Sequence, residues 1–264
     1  MLDLVPIQEQ VIVAVNKVSD FILSEIGKLH HNDVKTKALN SLVTYVDKTS
    51  EELLVNALKS IIPEAAFHTE EDTVAVSEGD WQWIIDPLDG TTNFIHQVPV
   101  FAISVGLKYK GEIVLGVVKE LNRNECFYAT KNKGAYLNGK KISVSHTPQL
   151  SDSLVATGFP YYDYDRLENY LEVLKVLMTS TRGIRRMGSA AVDLCYTACG
   201  RFDMYFEYSL SPWDVAAGAL IVKEAGGFVS DFKGGEHWLY GREIVATNAT
   251  LKEDVLNLLA AHFK

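Results

Sequence analysis

Two carboxylates, Asp86 and Asp89, stand three residues apart in the run Trp83-Ile-Ile-Asp-Pro-Leu-Asp-Gly-Thr-Thr-Asn-Phe94. Trp81, Trp83, Ile84 and Ile85 lead straight into Asp86, so the first carboxylate is expected at the tip of a buried strand. Pro87 brings no N–H to a sheet ladder, and the strand is expected to end there. A carboxylate in apolar surroundings is costly unless it is paired or holds a metal. Gly90, Thr91 and Thr92 are suited to open a helix whose free N–H groups attract an anion. A hard cation together with a phosphate is the chemistry these residues fit. Residue types alone leave the pair's metal role open against a structural one.

Three more acids, Asp47, Glu70 and Asp214, stand at expected element boundaries. Asp47 and Asp214 also suit helix caps, and Glu70-Glu71-Asp72 also suits a solvated acidic turn. Oxygen-only ligands select Mg2+, Mn2+ or Ca2+ over zinc. The seven histidines contain no HExxH pattern, which argues against a zinc protease. Cys195 and Cys199, four apart among Val192, Leu194 and Ala198, read as small core residues. Gly134 to Lys140 matches much of a phosphate-binding loop, but Lys141 stands where Ser or Thr is required, and Asn138-Gly139 marks a hairpin. Gly188-Ser189 lacks a nucleophile-elbow context. Arg182, Arg185 and Arg186 read as a solvated or interface patch rather than an anion site.

The elements that must position these groups come from periodicity. Helices are expected over 7–29, from Asp47 or Ser50 to Ile62, and over 165–179, 189–200, 213–225 and 251–262. A short strand running into an acidic turn is expected over 67–72, and strands over 101–109, 113–121 and 125–129, then at 142–144 after the Asn138-Gly139 hairpin, and at 203–208, 228–230 and 244–246. Residues 30–41, with Lys35 and Lys37, read as a mobile polar loop. A boundary near Pro148 divides 1–148 from 149–264. The 264 residues are 47% hydrophobic and 22% charged, with a net charge of −9. That charge argues against nucleic acid as a partner. The sequence shows no apolar run of membrane-spanning length and no leader pattern. Three cysteines without a CxxC pattern fit a reduced, cytoplasmic protein.

Asp86-Pro-Leu-Asp-Gly-Thr-Thr-Asn-Phe94 resembles the first signature of the inositol monophosphatase family of Mg2+-dependent, lithium-sensitive phosphatases. Trp213-Asp214-Val-Ala-Ala-Gly218 with Glu224-Ala-Gly-Gly227 resembles the second. Glu70-Glu71 and Val43-Thr44-Tyr45-Val46-Asp47 match two further blocks in order. The resemblance spans essentially the whole chain. It implies an α+β fold, a layered α-β-α-β-α sandwich, and a homodimer. It implies two or three Mg2+ ions, with Mn2+ as a substitute. Glu70, Asp86 and the Leu88 carbonyl would hold the first ion, and Asp86, Asp89 and Asp214 the second, with Glu70 near a weaker third. Thr91 and Asp47, with Glu70, would position and activate water. Gly90, Thr91 and Thr92 would cradle the phosphate. Glu207 and Gly188-Ser189-Ala190 would line a polyol pocket, although Glu207 alone also suits an exposed strand.

The substrate is expected to be a small phosphorylated polyol, sugar or nucleotide, inositol monophosphate foremost. NADP(H), fructose 1,6-bisphosphate and 3′-phosphoadenosine 5′-phosphate are alternatives on the same scaffold, dual specificity included. A non-catalytic metal-binding scaffold is the remaining reading. Two positions depart from the family pattern. Ser41 stands where Asp is common, and Thr69 where Gly is common before the paired glutamates.

Overall fold

A computed structural model describes residues 2–38, 41–160 and 163–263. The chain opens with α1 (Leu4–Glu25), β1 (Lys35–Ala38), β2 (Ser41–Val43), α2 (Tyr45–Ile61), β3 (Ala66–Thr69), β4 (Trp81–Asp89) and α3 (Thr91–Ile95). A meander follows: β5 (Ala102–Tyr109), β6 (Glu112–Glu120), β7 (Glu125–Thr130), β8 (Ala135–Leu137) and β9 (Lys140–Lys141). The second half runs β10 (Leu154–Thr157), α4 (Leu167–Ser180), β11 (Gly183–Arg185), α5 (Ala190–Ala198), β12 (Met204–Tyr208), α6 (Pro212–Glu224), β13 (Phe228–Ser230), β14 (Glu243–Thr247) and α7 (Lys252–His262).

Seven strands form one sheet in the order β3-β4-β5-β6-β7-β8-β9, with only the β3–β4 pair parallel. Five form a second sheet, β11-β10-β12-β14-β13. Alternation along β4 sorts its side chains between two cores. Trp83 and Ile85 pack with Val11, Val15, Leu54 and Leu58 of α1 and α2. Ile84 faces the opposite way, into a core shared with Ala191, Leu194, Ala216 and Ala217 of α5 and α6. Val173, Leu177, Val255 and Leu259 of α4 and α7 cover the outer face of the five-stranded sheet. The layers are therefore α1–α2, large sheet, α5–α6, small sheet, α4–α7, the expected α-β-α-β-α sandwich.

The helix pair between the sheets approaches unusually closely. A β carbon on Gly116 of β6 would lie 2.7 Å from the Ala217 carbonyl oxygen, so only glycine lets α6 settle at that depth. This contact sets the height of α6, which carries Asp214, above the large sheet.

Several boundaries differ from the expectation, each for a local reason. The first helix begins at Leu4 because Asp3 caps it, accepting from the Val5 N–H at 3.2 Å, and it ends at Glu25, before Gly27 at φ +75°. Within the expected loop over 30–41, β1 pairs antiparallel with β2, Lys35 opposite Val43. The side chains of Lys37 and Ser41 lie outside the described residues. Strand β4 does not end at Pro87. It continues to Asp89 through a β-bulge, in which Asp86 opposes Ser104 and Asp89 opposes Ala102. After the Asn138-Gly139 turn the return strand is Lys140–Lys141 rather than 142–144. Among the described residues no helix is long and apolar enough to cross a membrane.

Candidate active site

The end of β4, the start of α3 and the N-terminal ends of α5 and α6 converge on one cavity of about 240 Å³. Its walls include Glu70, Asp86, Leu88, Asp89, Gly90, Thr91, Thr92, Gly188, Ser189, Ala190, Glu207 and Asp214. Of the residues assigned to the site in the sequence analysis, Asp47 alone stands behind the wall, and it reaches the cavity through Thr91.

Asp47 and Asp214 each close the start of a helix and also reach the cavity. Asp47 is the third residue of α2. Its Oδ2 accepts from the Thr44 N–H (2.8 Å) and hydroxyl (2.6 Å), closing a capping box. Its Oδ1 accepts from the Thr91 hydroxyl at 2.9 Å. The Leu88 carbonyl lies 3.1 Å from the same hydroxyl. That hydroxyl carries one proton, so its lone pairs remain available to a further donor. Asp214 repeats the device on α6, its Oδ2 accepting from the Ser211 N–H at 2.7 Å. One oxygen of each acid is held by the fold.

The remaining carboxylates are fixed as firmly. Asp86 Oδ1 accepts from the Leu88 N–H at 2.9 Å, and Asp86 also shares a hydrogen bond with Glu70. Asp89 Oδ2 accepts from the Ser189 hydroxyl at 2.6 Å and the Ala191 N–H at 2.7 Å. Ser189, expected in the pocket lining and at the start of a helix, caps α5 and also anchors Asp89. On the far side, Trp213 meets His68 edge-on at 5.4 Å, and its carbonyl accepts from the Ser104 hydroxyl at 3.1 Å. Those contacts hold the start of α6 beside the ends of β3 and β5.

Burial pushes Asp86 and Asp214 well above the usual carboxylate range, and the neighbouring acids add to it. Asp89 is pushed up to about 6, mainly by burial, against the pull of its Ser189 and Ala191 hydrogen bonds. Burial also raises Asp47, opposed by its threonine donors. Among the described residues, no three His, Cys, Asp or Glu side chains already form a closed cage for an ion. The donor set nevertheless suits a hard divalent cation: four carboxylates and a carbonyl, all oxygen, whose mutual repulsion a cation would relieve.

Glu207 is buried rather than exposed on its strand. Tyr205 donates to its Oε2 at 2.7 Å. Burial pushes it up to about 7, while Tyr205 and Arg186 pull it down. A β carbon on Gly158 would lie 1.9 Å from the same carboxylate, so that wall is shaped for glycine.

Three residues of the site went unrecognised in the sequence. Arg186 lines the cavity, whereas Arg182 pairs with Asp152 at the surface and Arg185 is exposed. A run of three arginines over five positions gives no signal of which one turns inward. Asn93 donates to the carbonyls of Val100 (2.7 Å) and Met187 (2.9 Å), lacing α3 to the Gly188 turn. Glu51, one helical turn beyond Asp47, accepts from Thr69, Glu71 and Thr73. A glutamate mid-helix resembles any solvated one until the fold buries it.

The likeness to known proteins covers the same ground. The Nus factor SuhB of Pseudomonas aeruginosa is 43% identical over 254 residues, 94% of this chain and 94% of its own. The solved extragenic suppressor protein suhB of Bartonella henselae superposes with a TM-score of 0.91 at 35% identity, over 96% of this chain and 98% of that one. The inositol monophosphatase of Anabaena superposes at 0.87 and 33% identity, over 99% and 98%. The profile of the inositol monophosphatase family matches residues 3–264, which takes in every wall of the cavity, and the chain belongs to that family.

Proposed function

We propose that this chain hydrolyses a small phosphomonoester, inositol monophosphate foremost, by direct attack of water without a covalent intermediate. The observation that carries this is the Asp47–Thr91 pair, whose hydroxyl faces a cavity walled by five carboxylates, four of them the proposed metal ligands. In this reading Glu70, Asp86 and the Leu88 carbonyl hold one Mg2+, and Asp86, Asp89 and Asp214 another, with Glu70 near a weaker third and Mn2+ as a substitute. Bound there, the cations would lower the pKa of water and neutralise the departing alkoxide. Residues 1–148 supply most of these ligands, and 149–264 supply Asp214 and the pocket.

The chain's own groups do the rest. Thr91 accepts a hydrogen bond from the attacking water while donating to Asp47. Asp47, raised by burial, is the stronger base for the released proton. Backbone N–H groups at Gly90 and Thr91, with the Thr92 hydroxyl, hold the phosphate oxygens. Glu207, beside Gly188, Ser189 and Ala190, accepts from a substrate hydroxyl. Family likeness further supports a cytoplasmic homodimer inhibited by lithium.

Phosphate release with Mg2+ tests this on inositol 1-phosphate, fructose 1,6-bisphosphate, NADP and 3′-phosphoadenosine 5′-phosphate. Inositol 1-phosphate is expected to lead, and no release from any of them would overturn the reading. A second reading is favoured by likeness to relatives named Nus factors: action through a macromolecular partner. The net charge of −9 supports a partner other than nucleic acid. A pull-down that retains protein partners or RNA with a phosphatase-dead variant would separate that role from hydrolysis.

A further inference from the structure

Glu51 is completely buried in α2, yet it is a carboxylate. Its Oε1 accepts from the Thr69 hydroxyl (2.9 Å), the Thr73 N–H (2.8 Å) and the Thr73 hydroxyl (2.7 Å). Its Oε2 accepts from the Glu71 N–H at 2.7 Å. All four donors belong to residues 69–73, and they bracket Glu70 on both sides. The helix needs no such group to stay in place, because Leu54, Val55 and Leu58 already pack it into the core. An acceptor with two oxygens facing four donors is what only a carboxylate supplies; glutamine would turn an NH2 toward one set of them.

We propose that Glu51 is a positioning residue that presents Glu70 to the cation, resting on the reading of Glu70 as a metal ligand. Thr69 belongs to the same device. Its hydroxyl supplies one of the four donors. The device also joins the two working parts of the cavity. Asp47 and Glu51 are one helical turn apart on α2. The first holds Thr91 and the second holds the Glu70 segment, so one rigid turn sets the spacing between the water-positioning hydroxyl and a cation ligand.

The test compares wild type with Glu51→Gln, Thr69→Val, Thr73→Val and Thr69→Ser. Mg2+ is titrated by thermal shift and by phosphate release, and amide exchange at residues 71 and 73 is followed without metal. Groups that orient metal ligands typically account for about 10–100-fold in metal affinity. Glu51→Gln is expected to raise the half-saturating Mg2+ concentration about tenfold or more, with kcat at saturating Mg2+ within about threefold. Thr69→Val is expected to raise it about threefold, one hydrogen bond of the four, and Thr69→Ser to restore it. Faster exchange at residues 71 and 73 in Glu51→Gln, with half-saturation unchanged, would overturn the role of Glu51. So would a fall in kcat with no change in the Mg2+ requirement. Should Glu51→Gln fail to fold, unchanged half-saturation in both valine variants would overturn it equally. A wild type that neither binds Mg2+ nor releases phosphate would remove the phosphatase reading as well, so the two failures are distinguishable.

Discussion

The Ser189 hydroxyl donates to Asp89 Oδ2 at 2.6 Å, joining residues 100 positions apart in sequence. One is the last residue of a strand in the large sheet, and the other caps a helix of the middle layer. The bond therefore aligns a proposed metal ligand and closes a helix end together. Ser189→Ala is expected to cost about 1–2 kcal/mol of stability from the lost cap and hydrogen bond. It is also expected to weaken Mg2+ binding, because Asp89 loses a donor that favours its charged form. Urea denaturation and a Mg2+ titration on the same samples measure both effects.

Asp47→Asn is expected to reduce kcat by about 10²–10⁴-fold, the range for loss of a positioned acid–base group. The amide oxygen can still serve the α2 cap, so the melting temperature should move little. Mg2+-dependent thermal stabilisation should persist, since Asp47 stands behind the cavity wall. Abolished Mg2+ stabilisation would argue against that division of labour.

The metal-free protein should lose stability as pH rises. Asp89 goes from an ordinary 3.8 up to about 6 in the fold, and Asp86 and Asp214 are raised further. A raised carboxylate binds its proton more tightly when folded. Its contribution is full below about pH 4 and is lost as pH climbs through 6 and beyond. Melting temperatures in EDTA should fall from pH 5 to pH 8, and saturating Mg2+ should flatten or reverse that slope. Asp86→Asn should abolish turnover, yet melt no lower than wild type in EDTA at pH 8.

Glu207 offers a comparable test away from the metal ligands. Its pKa rises from 4.5 to about 7, so its ionisation opposes folding increasingly between those values and fully above them. Glu207→Gln should stabilise the metal-free protein at pH 8 by on the order of 2 kcal/mol. It should raise KM for a polyol phosphate more than it lowers kcat. Gly158→Ala pushes a methyl group into the same carboxylate and should raise KM likewise, at a cost of about 1–3 kcal/mol for overpacking.

Much of this was readable before folding because the informative residues are contiguous. Asp86, Asp89, Gly90, Thr91 and Thr92 lie within seven positions, and their apolar approach fixes one end of a strand. Asp214 was legible through its helix start and the family pattern around it. The parts that stayed hidden depend on which way a side chain turns. Arg186 looks like Arg182 until a short edge strand and the turn after it send it inward. Glu51 looks like Glu52, its exposed neighbour, until α2 docks on the large sheet. Asp47 and Asp214 suit either a cap or a site position in the sequence, and a carboxylate's two oxygens let each close a helix start and still reach the cavity.

The bulge at Pro87 decides which ligands can coexist. On a regular strand, residues three apart emerge on opposite sides, and Asp86 and Asp89 would never meet one ion. The surplus residue between them restores parity, and both line the same cavity. The pair is thus encoded by the two-residue spacer Pro87-Leu88 and the bulge it forms as much as by its carboxylates. Losing the bulge while keeping both acids, so that Asp89 paired one residue further along β5, would leave every ligand type in the chain and turn one of them out of the cavity. The centre thus rests on an irregularity of strand pairing that no residue type by itself records.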